Sequence, residues 1–267
     1  MELNDLTFQR YSQWMLEQTG VHLAPIKKTL VCQRLNKRLE ARKIASFEAY
    51  FKLINDQKED AERQLALDLL TTHETFFFRE PKHFDWFKAY LSRPHSSNHM
   101  LRVWSAAASS GEEVWSIAMM LADVMGIHGT WYLMGSDISQ PVLDKARAGH
   151  YPMQRCEGIP LNYLKSYCLK GQGSHLDTLL ISRELRHRVE FQVINLNQDL
   201  PSMQSFDVIF LRNVLIYFNA ETKKHVVQRC IQRLHVGGYL IISHSETITG
   251  VHHNLKLVQA GIYQKTE

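Results

Sequence analysis

Val103-Trp104-Ser105-Ala106-Ala107-Ala108-Ser109-Ser110-Gly111-Glu112-Glu113 runs from an apolar strand, through small residues and one glycine, into a helix that opens with two acids. Small side chains at such a turn let a ligand approach the backbone closely. Asp137, directly after the apolar run 131–136, stands roughly where a nucleotide-binding α/β unit places the acid that holds a ribose. Together they predict an adenosine site. A phosphate-cradling loop normally carries several glycines and turns the positive end of a helix to the anion. Here Glu112 and Glu113 follow the single glycine, where they would repel a pyrophosphate and favour a cation. Two acids at a helix start can also do no more than complement the helix dipole. In combination with 107–111 and Asp137, the charge pattern favours S-adenosyl-L-methionine, which has a sulfonium and an ammonium group and no phosphate.

Outward from that stretch the chain alternates. A helix is expected at 112–125, a strand at 131–136, a short helix at 139–148, and further strands at 189–196, 206–211 and 239–243, with a helix at 220–235 before the last of them. Strand, helix and strand in succession specify a doubly wound parallel sheet, and 255–264 reads as an edge strand. Residues 151–188 fit the alternation poorly. Leu179, Ile181 and their polar neighbours suggest a small antiparallel insertion at about 163–188, in which Gly171-Gln172-Gly173 marks a turn. From 5 to 72 apolar residues recur every three or four positions (Leu6, Tyr11, Met15; Leu30, Leu35, Leu39) with no alternating strand, so an N-terminal all-helical domain is expected. The expected division is 1–75 helical, 76–100 linker and helix with a turn at 93–98, and 101–267 cofactor-binding, in the manner of a Rossmann-like class I methyltransferase.

A chain of 267 residues, 45% of them hydrophobic, can form one large core and a smaller unit. No apolar stretch approaches bilayer-spanning length, and the four cysteines lie far apart without a C-x-x-C pair, which together fit a soluble protein of the reducing cytoplasm. The net charge of +4 is unevenly spread. Lys27, Lys28, Arg34, Lys37, Arg38, Arg42 and Lys43 face the single acid Glu40 within 27–43, so this segment is either a solvated helix face or a surface for an acidic partner. His95 with His99, and His252-His253, occur in turn-like or terminal sequence without converging acids, so no metal is expected. No G-x-S-x-G turn supports a hydrolase.

Five segments make the chain resemble the chemotaxis receptor (protein-glutamate) O-methyltransferase family, of CheR type: Thr72–Glu80 (THETFFFRE), Ser105–Ser116, Gly135-Ser136-Asp137-Ile138, Arg212–Phe218 (RNVLIYF), and Gly237-Gly238 with His244-Ser245-Glu246. The resemblance covers nearly the whole chain. It implies transfer of a methyl group from S-adenosyl-L-methionine to chemoreceptor glutamates, with S-adenosyl-L-homocysteine as product. It further implies that His73, Thr75 and Arg79 face the cofactor, that Glu112 or Glu113 approaches its methionine part, and that Asp137 holds the ribose. Asn195-Leu196 and Leu211-Arg212-Asn213 resemble the adenine-side contacts, several of them through backbone atoms. Tyr217, like Arg79, stands near the methyl-transfer position. The basic stretch resembles the receptor-docking helix, and the insertion resembles a sub-domain through which some members bind a receptor's C-terminal peptide. His73 replaces a frequent asparagine, Val114 a frequent proline and Ser243 a frequent glycine; none of these removes a charged group needed for chemistry.

A glutamate carboxylate, with a pKa near 4.3, needs no general base at neutral pH. The site must instead align it with the methyl–sulfur bond, and Arg79 suits that task because a guanidinium matches a carboxylate as a fork. Tyr217 could donate a hydrogen bond or set its ring beside the sulfonium. A nucleic-acid methyltransferase would share the adenosine site and basic helix, but no aromatic-rich basic surface accompanies them. A non-catalytic cofactor reader would be expected to lack Arg79 or Tyr217. The chain is expected to act as a monomer, without inserting into a membrane.

Overall fold

The computed structural model describes residues 2–94, 99–251 and 254–267. The turn expected over 93–98 falls partly, and His95, His252 and His253 wholly, outside them. The chain forms two compact units, one of 1–72 with 217–223 and the other of 73–216 with 224–267.

The first unit is built from α1 (Asp5–Thr19), α2 (Lys28–Ala41), α3 (Phe47–Ile54) and α4 (Asp60–Leu70). The Asn4 side chain caps α1 by accepting the Thr7 N–H at 2.7 Å, and Gly20 closes the helix at φ 77°. Every fourth residue of α2 (Val31, Leu35, Leu39) is buried against Tyr11, Met15, Phe47 and Tyr50. A carboxylate lies inside this core. Glu62 is 3% exposed and takes a two-pronged ion pair from Arg38 at 2.8 and 2.6 Å together with the Tyr50 hydroxyl at 2.8 Å. The Arg38 hydrogen bonds hold its pKa below the ordinary carboxylate range against the opposing effect of burial.

The second unit begins with α5 (Pro81–Leu91), followed by β1 (Leu101–Ser105), α6 (Glu112–Met125), β2 (Trp131–Asp137) and α7 (Gln140–Ala148). Next come β3 (His150–Pro152), α8 (Leu161–Tyr167), β4 (Cys168–Lys170), β5 (Thr178–Ile181), α9 (Arg183–Arg186), β6 (Val189–Val193) and β7 (Phe206–Phe210). The chain ends in α10 (Ala220–Gln232), β8 (Leu234–Ile241), β9 (Leu255–Gln259) and β10 (Ile262–Lys265). Seven strands form one sheet in the order β6-β2-β1-β7-β8-β10-β9, the first five parallel and the last two antiparallel. The expected doubly wound sheet is present. Helix α6 carries an almost unbroken apolar run and is buried from Glu112 to Ala122, as befits a helix covering a parallel sheet. Phe84 and Phe87 of α5 pack on Phe210 of β7, so α5 is part of this core.

Two strand expectations change. Residues 255–264 form a hairpin, because Gly261 at φ 76° reverses the chain and inserts β10 between β8 and β9. The small antiparallel sheet, in the order β3-β5-β4, takes one strand from 150–152, ahead of the expected insertion.

Candidate functional site

The strand order turns back at β1. The chain proceeds from β1 through β2 to β6 on one side and then returns to β7 on the other, which places the ligand crevice outside the carboxyl ends of β1, β2 and β7. There the Ala106 N–H donates to the Phe210 carbonyl at 2.8 Å and the Ala108 N–H to the Ser136 carbonyl at 2.7 Å, so the loop after β1 is pinned to both neighbours. Asp137 ends β2 in a buried position. Its Oδ2 accepts the Ser109 N–H at 2.9 Å and its Oδ1 the Ser139 N–H at 3.1 Å. Burial pushes the carboxyl pKa up, opposed by His73 and these backbone N–H groups. A carboxylate can accept about four hydrogen bonds, so Asp137 retains acceptor capacity for ribose hydroxyls. The Ser139 Oγ beside it is buried and has no hydrogen-bond partner.

Gly111 has another part than close approach to a ligand. At φ 96°, a Cβ there would fall 2.7 Å from the Ala146 Cβ and 3.0 Å from the Tyr151 hydroxyl. The missing side chain lets the start of α6 meet α7. Gly135 does the same on the sheet, where a Cβ would fall 2.8 Å from Val114.

Glu112 and Glu113 are each joined to an arginine from a distant segment. Glu112 is wholly buried, accepts the Ser110 hydroxyl at 2.7 Å and pairs with Arg155 at 2.6 Å. Burial raises its pKa against those two partners. Glu113 accepts the Ser105 hydroxyl at 2.8 Å and pairs with Arg212 at 2.7 Å. Their negative charge is therefore matched from within the protein. The preference for a cation, drawn in sequence from two unpaired acids, is correspondingly weaker. The Arg212 side chain is 1% exposed; it also donates to the Arg79 carbonyl and lies 3.5 Å from Glu80, so its guanidinium is held within the protein.

The segment 73–80 is joined to this edge through its first residue. The His73 carbonyl accepts the Ser109 hydroxyl at 2.9 Å, and its Nδ1 lies 3.9 Å from the Asp137 Oδ1. The Thr75 carbonyl accepts from Arg155, which thus ties this segment to Glu112. Residues 73–76 face Gln154, Arg155, Glu157 and Gly158 across a cleft of about 580 Å³. Arg79 donates to the Glu74 carbonyl at 3.1 Å and lies over the Phe76 ring at 5.4 Å. On either side of it Phe78 (φ 53°) and Glu80 (φ 60°) adopt left-handed backbone, which costs roughly 1–3 kcal/mol per residue and persists where surroundings enforce it. The surroundings are visible: the Ser116 hydroxyl receives the Phe78 N–H at 3.0 Å, and Glu80 accepts the Ser243 hydroxyl at 2.6 Å and the His244 N–H at 3.0 Å. Burial alone would raise the Glu80 pKa, but these bonds and the charge of Arg212 outweigh it and hold the group at about 2.

After β7, Asn213 is left-handed at φ 58° and its side-chain amide reaches Glu80 at 3.3 Å. Glu246, whose pKa burial raises, gathers the N–H groups of Asn213, Leu215, Ile216 and Ser243. Leu211 and Leu196 are buried, and the Asn195 Oδ1 caps the following turn by accepting the Asn197 N–H at 3.0 Å. His73 with Asp137, Thr75 with Glu112, and Arg79 with Glu113, Arg212 and Asn213 thus form three bonded groups, joined to one another through the segment 73–80 and the loop after β1. Tyr217 belongs to the segment grouped with the helical unit, where its carbonyl accepts the His22 N–H at 2.9 Å. Arg155, Glu80 and Glu246 are the organising residues that sequence reasoning missed. Glu80 and Glu246 lie inside quoted motifs; Arg155 has no local signal.

In the helical unit the basic residues divide. Lys28 pairs with Asp5 at 2.6 Å, Arg34 donates to the Leu69 and Thr71 carbonyls, Arg38 pairs with Glu62, and Arg42 pairs with Glu59 and Glu62. Lys27 and Lys37 are exposed, with no ion pair among the described residues.

Residues 73–264 match the family described as the CheR methyltransferase, SAM binding domain, and residues 6–71 match the CheR methyltransferase, all-alpha domain. The chemotaxis protein methyltransferase of Salmonella typhimurium is 36% identical over 265 residues, 98% of this chain and 91% of that protein. Chemotaxis protein methyltransferase 2 of Pseudomonas aeruginosa is 37% identical over 258 residues, covering 96% of this chain and 91% of the relative. Among solved structures, the glycopeptide N-methyltransferase MtfA complexed with (S)-adenosyl-L-methionine is similar with a TM-score of 0.40 at 12% identity, over 73% of this chain and 61% of that one.

Proposed function

Because the chain belongs to the CheR methyltransferase family, we propose that it transfers the methyl group of S-adenosyl-L-methionine to glutamate side chains of bacterial chemoreceptors, giving the methyl esters used in sensory adaptation. The observation that carries this reading is the attachment of the segment 73–80 to the carboxyl edge of the sheet, with His73 bonded to Ser109 and facing Asp137. That attachment brings Arg79 into the same network as the ribose-binding candidate. Asp137, with acceptor capacity to spare, suits an adenosine ribose. The loop after β1 has one glycine and no phosphate cradle, which suits a cofactor without phosphates.

When bound, the cofactor supplies an electrophilic methyl on a sulfonium: the carboxylate oxygen forms the new O–CH3 bond, the C–S bond breaks, and the sulfur leaves neutral in S-adenosyl-L-homocysteine. This chain's residues hold and orient. Arg79, fixed between two left-handed residues, aligns the incoming carboxylate, a kind of positioning that can contribute roughly 7–11 kcal/mol in favourable cases. Tyr217 completes the transfer position. Thr75 and His73 line the cofactor side, while Leu196, Leu211 and the backbone of Arg212 and Asn213 meet the adenine. Glu113 and Glu112, each held by an arginine, act as fixed acceptors toward the methionine end. A carboxylate nucleophile asks for no metal. Lys27 and Lys37 of the basic stretch meet the acidic receptor helices, the small sheet takes a receptor's C-terminal peptide, and the protein works as a cytoplasmic monomer. No helix among the described residues is long and apolar enough to cross a membrane.

Incubation of the full chain with methyl-labelled S-adenosyl-L-methionine and receptor cytoplasmic domains is expected to yield base-labile methyl esters. Stable label on RNA, or cofactor binding without transfer, would overturn the reading.

A further inference from the structure

Behind the Arg212–Glu80 contact lie two histidines that methyl transfer does not use. His83, in the first turn of α5, has a side chain with no exposure, and neither ring nitrogen has a hydrogen-bond partner. Its Nδ1 faces the Glu80 Oε2 at 3.4 Å. Its Nε2 lies against the Ala260–Gly261 turn, where a Cβ at 261 would fall 2.8 Å away, near the Ala260 carbonyl but outside hydrogen-bond geometry. Both nitrogens thus face acceptors, and a neutral imidazole has only one proton to offer. A proton on Nε2 leaves the Nδ1 lone pair opposite a carboxylate oxygen. The doubly protonated ring would satisfy both sides, but it is disfavoured by burial and by the charges of Arg212 and His244.

His244 supplies a third donor. Its Nε2 lies 3.9 Å from the same Oε2, its ring centroid is 4.2 Å from that of His83, and its side chain is 37% exposed. The three donor atoms lie within 4.8 Å of one another. Donor atoms about 2.0–2.2 Å from a tetrahedral ion stand somewhat over 3 Å apart, so small side-chain shifts would close a two-histidine, one-carboxylate set around zinc. Solvent reaches the cluster at His244, which leaves room for a fourth ligand. An Nε2–H directed at the Ala260 carbonyl is the kind of outer contact that orients a metal-bound imidazole.

We propose that Glu80, His83 and His244 form a binding site for a borderline divalent transition cation, Zn²⁺ being the best match to two imidazoles and one carboxylate. The ion competes with Arg212 for the Glu80 Oε2. Arg212 keeps Glu113 as a partner at 2.7 Å, so its charge is not left unpaired when Glu80 turns to the metal.

The test uses the full chain stripped by a chelator and then titrated with Zn²⁺ against a chromogenic competitor, with Co²⁺ as a spectroscopic probe. The expected result is one tight equivalent per chain and visible Co²⁺ absorption of a four- or five-coordinate ion. In His244→Asn, a change at a partly exposed position that the fold tolerates, affinity falls roughly tenfold or more and the Co²⁺ bands vanish. A histidine-selective ¹⁵N spectrum of the wild type should show the buried His83 ring shifting on Zn²⁺ addition. No tight uptake by the wild type, equal uptake by His244→Asn, or shifts confined to exposed histidines would each overturn the site. None of these readouts depends on methyl transfer.

Discussion

The basic helix α2 and the carboxyl edge of the large sheet both carry charged residues that read in sequence as contacts for a partner, yet the two regions use them differently. In α2 the arginines fold the unit: Arg34 closes carbonyls at the end of α4, and Arg38 and Arg42 neutralise a buried glutamate. The exposed charge without an ion pair among the described residues rests with Lys27, Lys37 and Lys43. At the sheet edge Arg212 and Arg155 are the partners of the two glutamates, while His73 lines the cleft 3.9 Å from Asp137 and Arg79 bonds a backbone carbonyl rather than a carboxylate. The difference matches the chemistry of the two cations. A planar guanidinium answers fixed carbonyls and carboxylates, whereas a hydrated ammonium stays in water.

Substitutions can break this contrast. The largest effect is expected from Arg79→Ala, with methyl transfer falling roughly a thousandfold or more, about 4 kcal/mol in the transition state, and the fold retained. Initial rates with receptor domains, read beside circular dichroism, check it; near-normal turnover removes Arg79 from the reaction. Arg212→Ala leaves the buried Glu113 and the partly buried Glu80 without their cation and should cost about 3–5 kcal/mol of stability, visible in chemical denaturation. A change under about 1 kcal/mol would show that the network relaxes around the loss.

In the helical unit, Arg38→Ala should cost about 2–3 kcal/mol, less because Arg38 is partly exposed and Arg42 remains near Glu62. Its pH signature has a definite sign. The folded pKa of Glu62 is depressed, so its contribution is complete above the unfolded value near 4.5 and is lost as pH falls through the folded one. Unfolding midpoints measured from pH 7 to 3 should therefore decline less steeply at the acid end in Arg38→Ala than in the wild type. Parallel curves would show that the pair adds nothing. The smallest effect is expected for Lys27→Glu with Lys37→Glu: a several-fold higher KM for receptor, stronger at low salt, with unchanged stability and kcat. An unchanged KM would remove these lysines from docking.

The fold was readable where its signal is local. Apolar runs alternating with amphipathic stretches mark β1, α6, β2 and α7 within a residue or two, because strand and helix periodicity need only neighbouring positions. The hairpin of β9 and β10 was hidden because its turn is the short Ala260-Gly261 pair. Strand β3 was hidden because three residues carry too little pattern. At the site, candidate residues could be named from sequence but their partners could not. Arg212 and Glu113 are 99 residues apart, and Arg212 reaches the Arg79 carbonyl across 133. No window of sequence contains such a pair, so Glu112 and Glu113 looked like unpaired acids at a helix start.

The absent side chain at Gly111 has a consequence for ancestry. Its missing Cβ is the space that Ala146 and the Tyr151 hydroxyl fill, so while those two residues stay, position 111 cannot gain a side chain. An alanine at 111 would require a glycine at 146 and would still meet an unfavourable backbone angle. Among descendants of this chain, glycine should persist at 111, and a library randomising that position alone should return the parental residue.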